Sequence, residues 1–300
     1  MKLQFIMLKK FLLLVGIAAI WGSQFILNDE AVQVISPYEL AFYRVTFGAI
    51  ALSLILLLPM VNEPAIKWTK NLVYLLIALT FTESVIPFVM NGFGQQEVSS
   101  SVTAVLMASI PLMTIVMDYF INGRPISKME FLGILVGFSG IVVLVYQDLL
   151  QEHDLSLLHV GFILIGAFGF SISLILMGKI PKEVPSLRFT RAILVTSSLV
   201  TLPFVFMDNH FSAISTDLWW KLVLLGSFAS GIVYYMYLYL VREAGPTFAS
   251  LNNYLVPVFG IILGVYLNNE IFTTGHYLGF IIILFGLVLV NLQSFKKIKN

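Results

Sequence analysis

Glu83 is the residue whose type and position most strongly suggest chemistry, because it is an acid inside a long apolar stretch. A carboxylate in that setting can carry a proton, bind an amine or pair with a cation. Counted along two helices, Glu83 and Arg44 both lie about 18 Å from the same end of a bundle. A structural Glu83–Arg44 pair and a direct role in a site are both compatible with this depth.

Amide and aromatic side chains within other apolar stretches could complete a polar cavity. Two adjacent amides in a membrane helix need hydrogen-bond partners, so at least one of Asn252 and Asn253 is expected to face protein or water. The predicted residues for substrate binding or coupling are Trp21, Gln24, Arg44, Glu83, Asn91, Tyr234, Asn252 and Asn253.

Two prolines are predicted to act as hinges. Pro111 and Pro257 lie within apolar stretches, where each removes a backbone hydrogen bond and frees a carbonyl group. They also occupy equivalent positions in the internal repeat described below. Shared position favours a shared role, so both are expected to let their helices bend.

A protease is the alternative from another class of function. Residues 137–140 read Gly-Phe-Ser-Gly and fit the G-x-S-G pattern of rhomboid proteases, with His276 as the potential base. A serine nucleophile and its base must lie about 3 Å apart. On helical arithmetic the depths of Ser139 and His276 differ by roughly 10 Å. An intramembrane serine protease using this pair is therefore the weaker hypothesis, and no enzymatic activity is expected.

The composition indicates where such residues must sit. Apolar residues make up 59% of the 300-residue chain and charged residues 11%, with a mean hydropathy of +0.94. A soluble domain carries about 25% charged residues. The absence of cysteine excludes disulfides and thiolate metal sites, and the four histidines lack ligand spacing, so no metal site is expected. A net charge of +1 gives no reason to expect nucleic acid binding.

Apolar stretches long enough to cross a bilayer as helices recur along the chain. They predict an all-α membrane protein with ten transmembrane helices, at about 10–28, 36–58, 71–91, 98–120, 128–147, 157–178, 187–207, 217–240, 246–268 and 274–294.

The distribution of charge predicts the orientation. Fourteen of the 17 lysine and arginine residues fall at the amino end, in the even-numbered connections or in the carboxyl tail. The odd-numbered connections carry acids and no cation. Because cytoplasmic loops are enriched in lysine and arginine, both termini are predicted to be cytoplasmic, in a multi-pass protein of the cell membrane.

The chain also repeats itself. An offset of 146 places residues 104–144 on residues 250–290 and aligns Pro111 with Pro257, Asn122 with Asn268, Gly133 with Gly279, and Gly140 with Gly286. The repeat predicts two units, 8–147 and 157–294, of five helices each. Because five is odd, the second unit must enter the membrane from the opposite side, as in the inverted repeats of many secondary transporters.

These motifs resemble the EamA repeat of the drug/metabolite transporter superfamily. The resemblance covers both halves and rests on these features: Trp21-Gly22-Ser23-Gln24-Phe25, Pro37, Arg44, the run from Pro111 to Gly140, and its copy ending at Gly286. It implies ten helices, no bound cofactor and the movement of small metabolites, often amino acids outward. The family usually has Leu-Gly-Glu where this chain has Asn122-Gly123-Arg124, and only Glu270 keeps the acid.

The resulting prediction is a secondary transporter that works by alternating access. Its expected partners are the lipid bilayer and a small polar or amphipathic, amino-acid-like substrate, with export and proton coupling as the default mechanism. Glycines spaced four apart, as at Gly133 and Gly137, predict close helix packing, either within the chain or in a homodimer.

Overall fold

The computed structural model describes the backbone of residues 2–150, 156–208, 214–244 and 252–298. Side chains are described for these ranges except at 2–7, 145, 147–150, 207–208, 241–244, 253–254 and 291–298. Within the described ranges every regular element is helical and no strand occurs. The prediction of an all-α fold is therefore confirmed.

The described residues form ten helical segments when each π-helical turn is counted with the helices that flank it. They are α1 Lys2–Val32, α2 Pro37–Leu56, α3 Lys70–Gly94, α4 Ser100–Asn122, α5 Lys128–Leu150, α6 Leu157–Met177, α7 Ser186–Asp208, α8 216–244, α9 Asn252–Leu267 and α10 Thr274–Ile298.

The length and composition of these segments are those of a multi-pass membrane protein. Seven of them, α1–α4 and α6–α8, contain windows long and apolar enough to cross a bilayer. Two further apolar stretches, Leu255–Leu267 and Thr274–Val290, are shorter within the part of the chain whose side chains are described. Large apolar side chains such as Leu54, Leu199 and Phe206 are exposed, as expected on a surface that contacts lipid.

Local sequence signals fix where several helices begin. Ser36 and Glu39 form a capping box at the start of α2, with Pro37 in the first turn, where its missing N–H is not needed. Ser215 caps α8 by accepting a hydrogen bond from the Leu218 backbone. These caps set the ends of the two helices that later meet at the buried polar cluster.

Glycines bring α5 and α10 into close antiparallel contact. A Cβ atom on Gly133 would lie 2.7 Å from the Gly286 carbonyl oxygen, and one on Gly140 would lie 2.7 Å from that of Gly279. Each glycine of α5 therefore faces the repeat counterpart of the other, so the four glycines form one interface. Leu112 of α4 packs against Gly137 of α5, 2.2 Å from where a Cβ atom would lie. These glycines pack within the chain, so the predicted homodimer cannot rely on them.

Two spans contain a π-helical segment near their middle. These segments are Thr80–Val85 in α3 and Leu225–Ile232 in α8. The offset of 146 maps 80–85 onto 226–231, so the irregularity occurs at the same place in both halves. Such π turns often mark functional sites, because they widen the helix and leave backbone groups free for other partners.

The two predicted hinge prolines occupy different local structures. In α4 the helix is interrupted between Met107 and Ile110, and Pro111 lies in the first turn of the second piece. Proline is tolerated there, because the N–H it lacks has no partner within the helix. Pro257 instead lies inside the continuous helix α9. Their hinge role remains a prediction.

Candidate functional site: a buried polar cluster

Arg44 is the centre of a buried hydrogen-bond network. It lies on α2, is 2% exposed, and has only neutral hydrogen-bond acceptors. Two come from α1: Nη2 donates to Gln24 Oε1 at 2.7 Å and Nη1 to Asn28 Oδ1 at 3.1 Å. The third is in the π-helical segment of α8, where Nε donates to Ser230 Oγ at 3.2 Å. A buried cation is thus held without a carboxylate partner among the described residues.

Further contacts fix the orientation of the guanidinium. Its Cζ atom lies 3.9 Å from the centre of the Phe88 ring, in cation–π geometry. Asn28 donates to Gln95 Oε1 at 3.1 Å, and Gln95 Nε2 donates to the Phe25 carbonyl at 2.7 Å. Helices α1, α2, α3 and α8 are therefore joined by one network around a single charge.

Glu83 lies in the other π-helical segment and is also buried, with 6% exposed. The Ser173 hydroxyl of α6 donates a hydrogen bond to Glu83 Oε2. The Tyr234 side chain of α8 also interacts with this carboxylate. Both of these partners are neutral, like those of Arg44.

The predicted ion pair between Glu83 and Arg44 does not form in the structure. No salt bridge joins them, and each side chain is satisfied by a separate set of groups. Helical counting gives the two residues a similar depth, but depth along a helix does not determine the direction in which a side chain points. Tyr234 interacts electrostatically with both groups.

Trp21 forms an aromatic wall beside these groups. Its ring centre lies 5.5 Å from that of Tyr234 and 5.0 Å from that of Tyr237. Trp21 Nε1 donates to the Ala229 carbonyl at 3.2 Å, within the π-helical segment of α8. The structure thus brings together five of the predicted residues: Trp21, Gln24, Arg44, Glu83 and Tyr234. We call these five, with Asn28, Ser173 and Ser230, the polar cluster.

Small residues allow α2 to reach the π-helical segment of α8. A Cβ atom on Gly226 would lie 2.6 Å from the Phe47 Cβ atom and 2.8 Å from the Arg44 carbonyl oxygen. A Cβ atom on Gly48 would lie 3.0 Å from the Gly226 carbonyl oxygen. This contact between backbones places Arg44 within reach of Ser230.

Two of the three predicted asparagines, Asn91 and Asn252, do not join the network. Asn91 is buried, and the Cβ of an alanine at Gly166 on α6 would lie 2.8 Å from its Oδ1 atom. Asn252 is buried on α9. Neither Oδ1 atom has a hydrogen-bond partner among the described residues. The Asn253 side chain lies outside the described part of the structure.

Sequence reasoning missed Asn28, Gln95, Ser173 and Ser230. Asn28 and Gln95 lie near helix ends, where polar residues are common and give no signal. Ser173 and Ser230 are small hydroxyl residues in apolar runs, and such residues usually satisfy their own helix backbone. The repeat held one usable signal, since Ser230 aligns with Ser84 beside Glu83.

The serine protease hypothesis finds no support in the geometry. Ser139 is exposed, and its hydroxyl donates to the Val136 carbonyl one turn earlier at 2.7 Å. His276 begins α10, where its Nδ1 accepts from the Thr273 backbone at 3.1 Å. The first residue bonds its own helix and the second caps another, which are structural roles.

Known proteins resemble this chain in sequence and in fold. A sequence model of the EamA-like transporter family matches residues 8–146 and 157–292. The uncharacterized inner membrane transporter YedA of Escherichia coli K12 is 25% identical over 278 residues, which cover 92% of this chain and 88% of YedA. The uncharacterized transporter YoaV of Bacillus subtilis 168 is 21% identical over 298 residues, which cover 98% of this chain and 100% of YoaV.

A solved crystal structure of a protein has the same fold. The alignment covers 95% of this chain and 97% of the other chain, with a TM-score of 0.66 and 16% sequence identity. The names of both relatives agree with the predicted class, a membrane transporter rather than an enzyme. Because the family match extends through both halves, the chain belongs to the EamA-like transporter family.

Proposed function

We propose that this chain is a secondary transporter that carries a small zwitterionic, amino-acid-like metabolite across the membrane by alternating access. The observation that carries the proposal is the pair of buried charges in the polar cluster, each held by neutral groups. An uncompensated charge inside a membrane protein is costly and is usually kept for function.

The two charges suit the two ends of one small molecule. Arg44 offers a planar guanidinium that matches a carboxylate, and Glu83 offers an acceptor for an ammonium group or a proton. Substrate binding would then give each group an oppositely charged partner, which the described part of the protein does not provide. Trp21, Tyr234 and Tyr237 form the wall that would contact the apolar part of an amphipathic substrate.

An inverted repeat is the architecture proposed for this movement. Two observations support it: the repeat-related glycines of α5 and α10 face each other antiparallel, and the π-helical segments recur at one offset. Five helices in each half would place the halves in opposite orientations. The polar cluster draws on both halves, as a site between rocking units must.

We further propose cytoplasmic termini, export as the direction, and proton coupling through Glu83. The orientation follows from the excess of lysine and arginine at one end of the bundle. A reporter that is active only in the cytoplasm, fused after Asn300, should be active, and one that is active only outside should be silent. The reverse pattern would overturn the orientation.

Counterflow in proteoliposomes tests the transport function. Vesicles loaded with a mixture of unlabelled neutral amino acids should accumulate labelled members of that mixture when they contain the wild-type protein. Arg44→Gln should abolish accumulation, because the carboxylate loses its partner. Arg191→Gln is the matched control. Arg191 on α7 matches Arg44 when the repeat offset is 147, one residue more than in the later helices, and its Nε has no hydrogen-bond partner in the described structure.

The result decides between substrate classes. Accumulation that needs Arg44 and tolerates loss of Arg191 would support the proposal. Wild-type vesicles that accumulate none of these amino acids, but do accumulate a cationic or anionic metabolite, would contradict the zwitterionic substrate class.

A further inference from the structure

Glu270 joins the two halves of the chain at one end of the bundle. We call this end the acidic end, because α1 finishes there with Asp29 and Glu30. Glu270 Oε1 accepts hydrogen bonds from the Ser100 backbone at 3.0 Å and from the Ser100 hydroxyl. Its Oε2 accepts from the Ser101 backbone at 2.8 Å. A carboxylate from the second half thus caps the first turn of α4 in the first half.

The local backbone is built to place this carboxylate. Asn269 has a positive φ of 53°, and the Glu270 backbone N–H donates to the Gly264 carbonyl at 3.2 Å, which turns the chain back toward α9. A Cβ atom on Gly264 would lie 2.2 Å from Ser101 Oγ and 2.5 Å from Glu270 Oε2. Only a glycine leaves room there for the carboxylate to seat against α4.

Other polar contacts join helices at the same end. Asn268 Nδ2 donates to Asp29 Oδ2 at 3.2 Å, which ties the α9–α10 connection to α1. Lys221 of α8 forms an ion pair with Glu30 of α1. Helices α1, α4, α8 and the α9–α10 connection are therefore joined by side chains at the acidic end.

The opposite end lacks the equivalent acid. Arg124 stands where the repeat places the counterpart of Glu270. It contacts Glu130 and Asp118, both in its own α4–α5 hairpin, the latter at 3.6 Å. An arginine cannot accept hydrogen bonds from the first turn of a helix. The two ends of the bundle therefore differ in their ability to form this contact.

We propose that Glu270 is a one-sided latch that holds the acidic end closed and must release the first turn of α4 before the polar cluster opens toward that end. This inference rests on the alternating access of the proposed function. The carboxylate both bonds free N–H groups and lies at the positive end of the helix dipole, so the closed state is stabilised by charge. With Arg124 at the other end, the described residues contain no matching latch to oppose it, and the resting protein favours closure at the acidic end.

Spin-label distances across the acidic end test the latch. The chain contains no cysteine, so Gln96→Cys and Ile271→Cys, two exposed positions, can be labelled without a background reaction. In the wild-type background the pair should give one short distance. Glu270→Gln should add a longer population and lower the ratio of closed to open by about tenfold, since charged hydrogen bonds are lost.

Two further variants make the result specific. Glu97→Gln removes an exposed acid at the same end and should leave the distances unchanged. Ser100→Ala removes one of the three hydrogen bonds and should give a smaller shift in the same direction. Unchanged distances in a folded Glu270→Gln protein would overturn the latch. Wild-type counterflow is measured separately, so failure of the transport proposal would be recognised independently.

Discussion

The π-helical segments of α3 and α8 share a position in the repeat but differ in what they hold. The segment Thr80–Val85 carries Glu83, a charge of its own. The segment Leu225–Ile232 carries no charge and instead receives Arg44 at Ser230 and Trp21 at the Ala229 carbonyl. The segment of the first half thus contributes a buried acid, and the segment of the second half holds side chains that come from other helices.

The difference follows from the residues inside each segment. In α8, Gly226 and Gly231 let the backbone of α2 approach closely. In α3 the equivalent residues are Thr80 and Val85, and α7 contacts this segment through side chains, with Thr80 and Thr196 hydroxyls 2.6 Å apart. The same backbone irregularity has therefore been used for close packing in one half and for a buried acid in the other.

Filling the close contact should have the largest effect on stability. Gly226→Leu would drive a side chain into Phe47 and the Arg44 backbone. We therefore expect the free energy of unfolding to fall by roughly 3 kcal/mol or more, or the protein to fail to fold. Gly161→Leu is the control, because nothing lies within 4 Å of a Cβ atom there. Thermal unfolding in detergent measures both. Equal stability of the two variants would show that close packing does not define the α8 segment.

Removing one hydroxyl from each π-helical segment should lower the stability of the protein by less than filling the close contact does, and by different amounts in the two segments. Ser230→Ala deprives Arg44 of an acceptor and should cost about 1–2 kcal/mol and weaken transport. Ser84→Ala changes the equivalent residue of α3 and should cost less, because the equivalent arginine, Arg191, has an Nε atom without a partner in the described structure. A larger loss of stability in Ser84→Ala than in Ser230→Ala would contradict the view that the α8 segment is the one whose hydroxyl holds a buried arginine.

The smallest expected effect on stability concerns the prolines. Replacing Pro111 and Pro257 together with alanine should leave unfolding nearly unchanged but slow the exchange between access states, if that exchange needs bending at the two prolines. Spin-label distances and counterflow rates on the same preparations separate the two effects. A double variant with the wild-type counterflow rate would show that neither proline is needed for the exchange between access states.

The helices and the family were predictable from the sequence, but the π-helical segments were not. Apolar length fixes the spans, and motif order fixes the family, as the match through both halves confirms. The proline reasoning found candidates in α4 and α9, because proline has a visible local effect. No single residue type encodes a π turn, so a pattern of apolar and polar residues does not reveal it.

The polar cluster was predictable in part for a related reason. Counting residues gave the depth of Glu83 and Arg44, and both are buried in the structure. Depth does not give the direction of a side chain around its helix, and of the two roles that it left open for Glu83 and Arg44 the ion pair does not form. The neutral partners Asn28, Ser173 and Ser230 could not be chosen from the many polar residues of the chain without knowing which helices meet.

A double-mutant cycle on Glu83 and Arg44 tests most directly the claim that these charges are separate ligand groups. Glu83→Gln, Arg44→Gln and the combined variant are compared with the wild type for stability in detergent and for counterflow. We expect the losses of stability to add within about 1 kcal/mol, and counterflow to fail in Arg44→Gln and in the combined variant. A buried ion pair would instead couple the two changes by roughly 3 kcal/mol or more. Recovery of stability and counterflow in the combined variant would contradict the account.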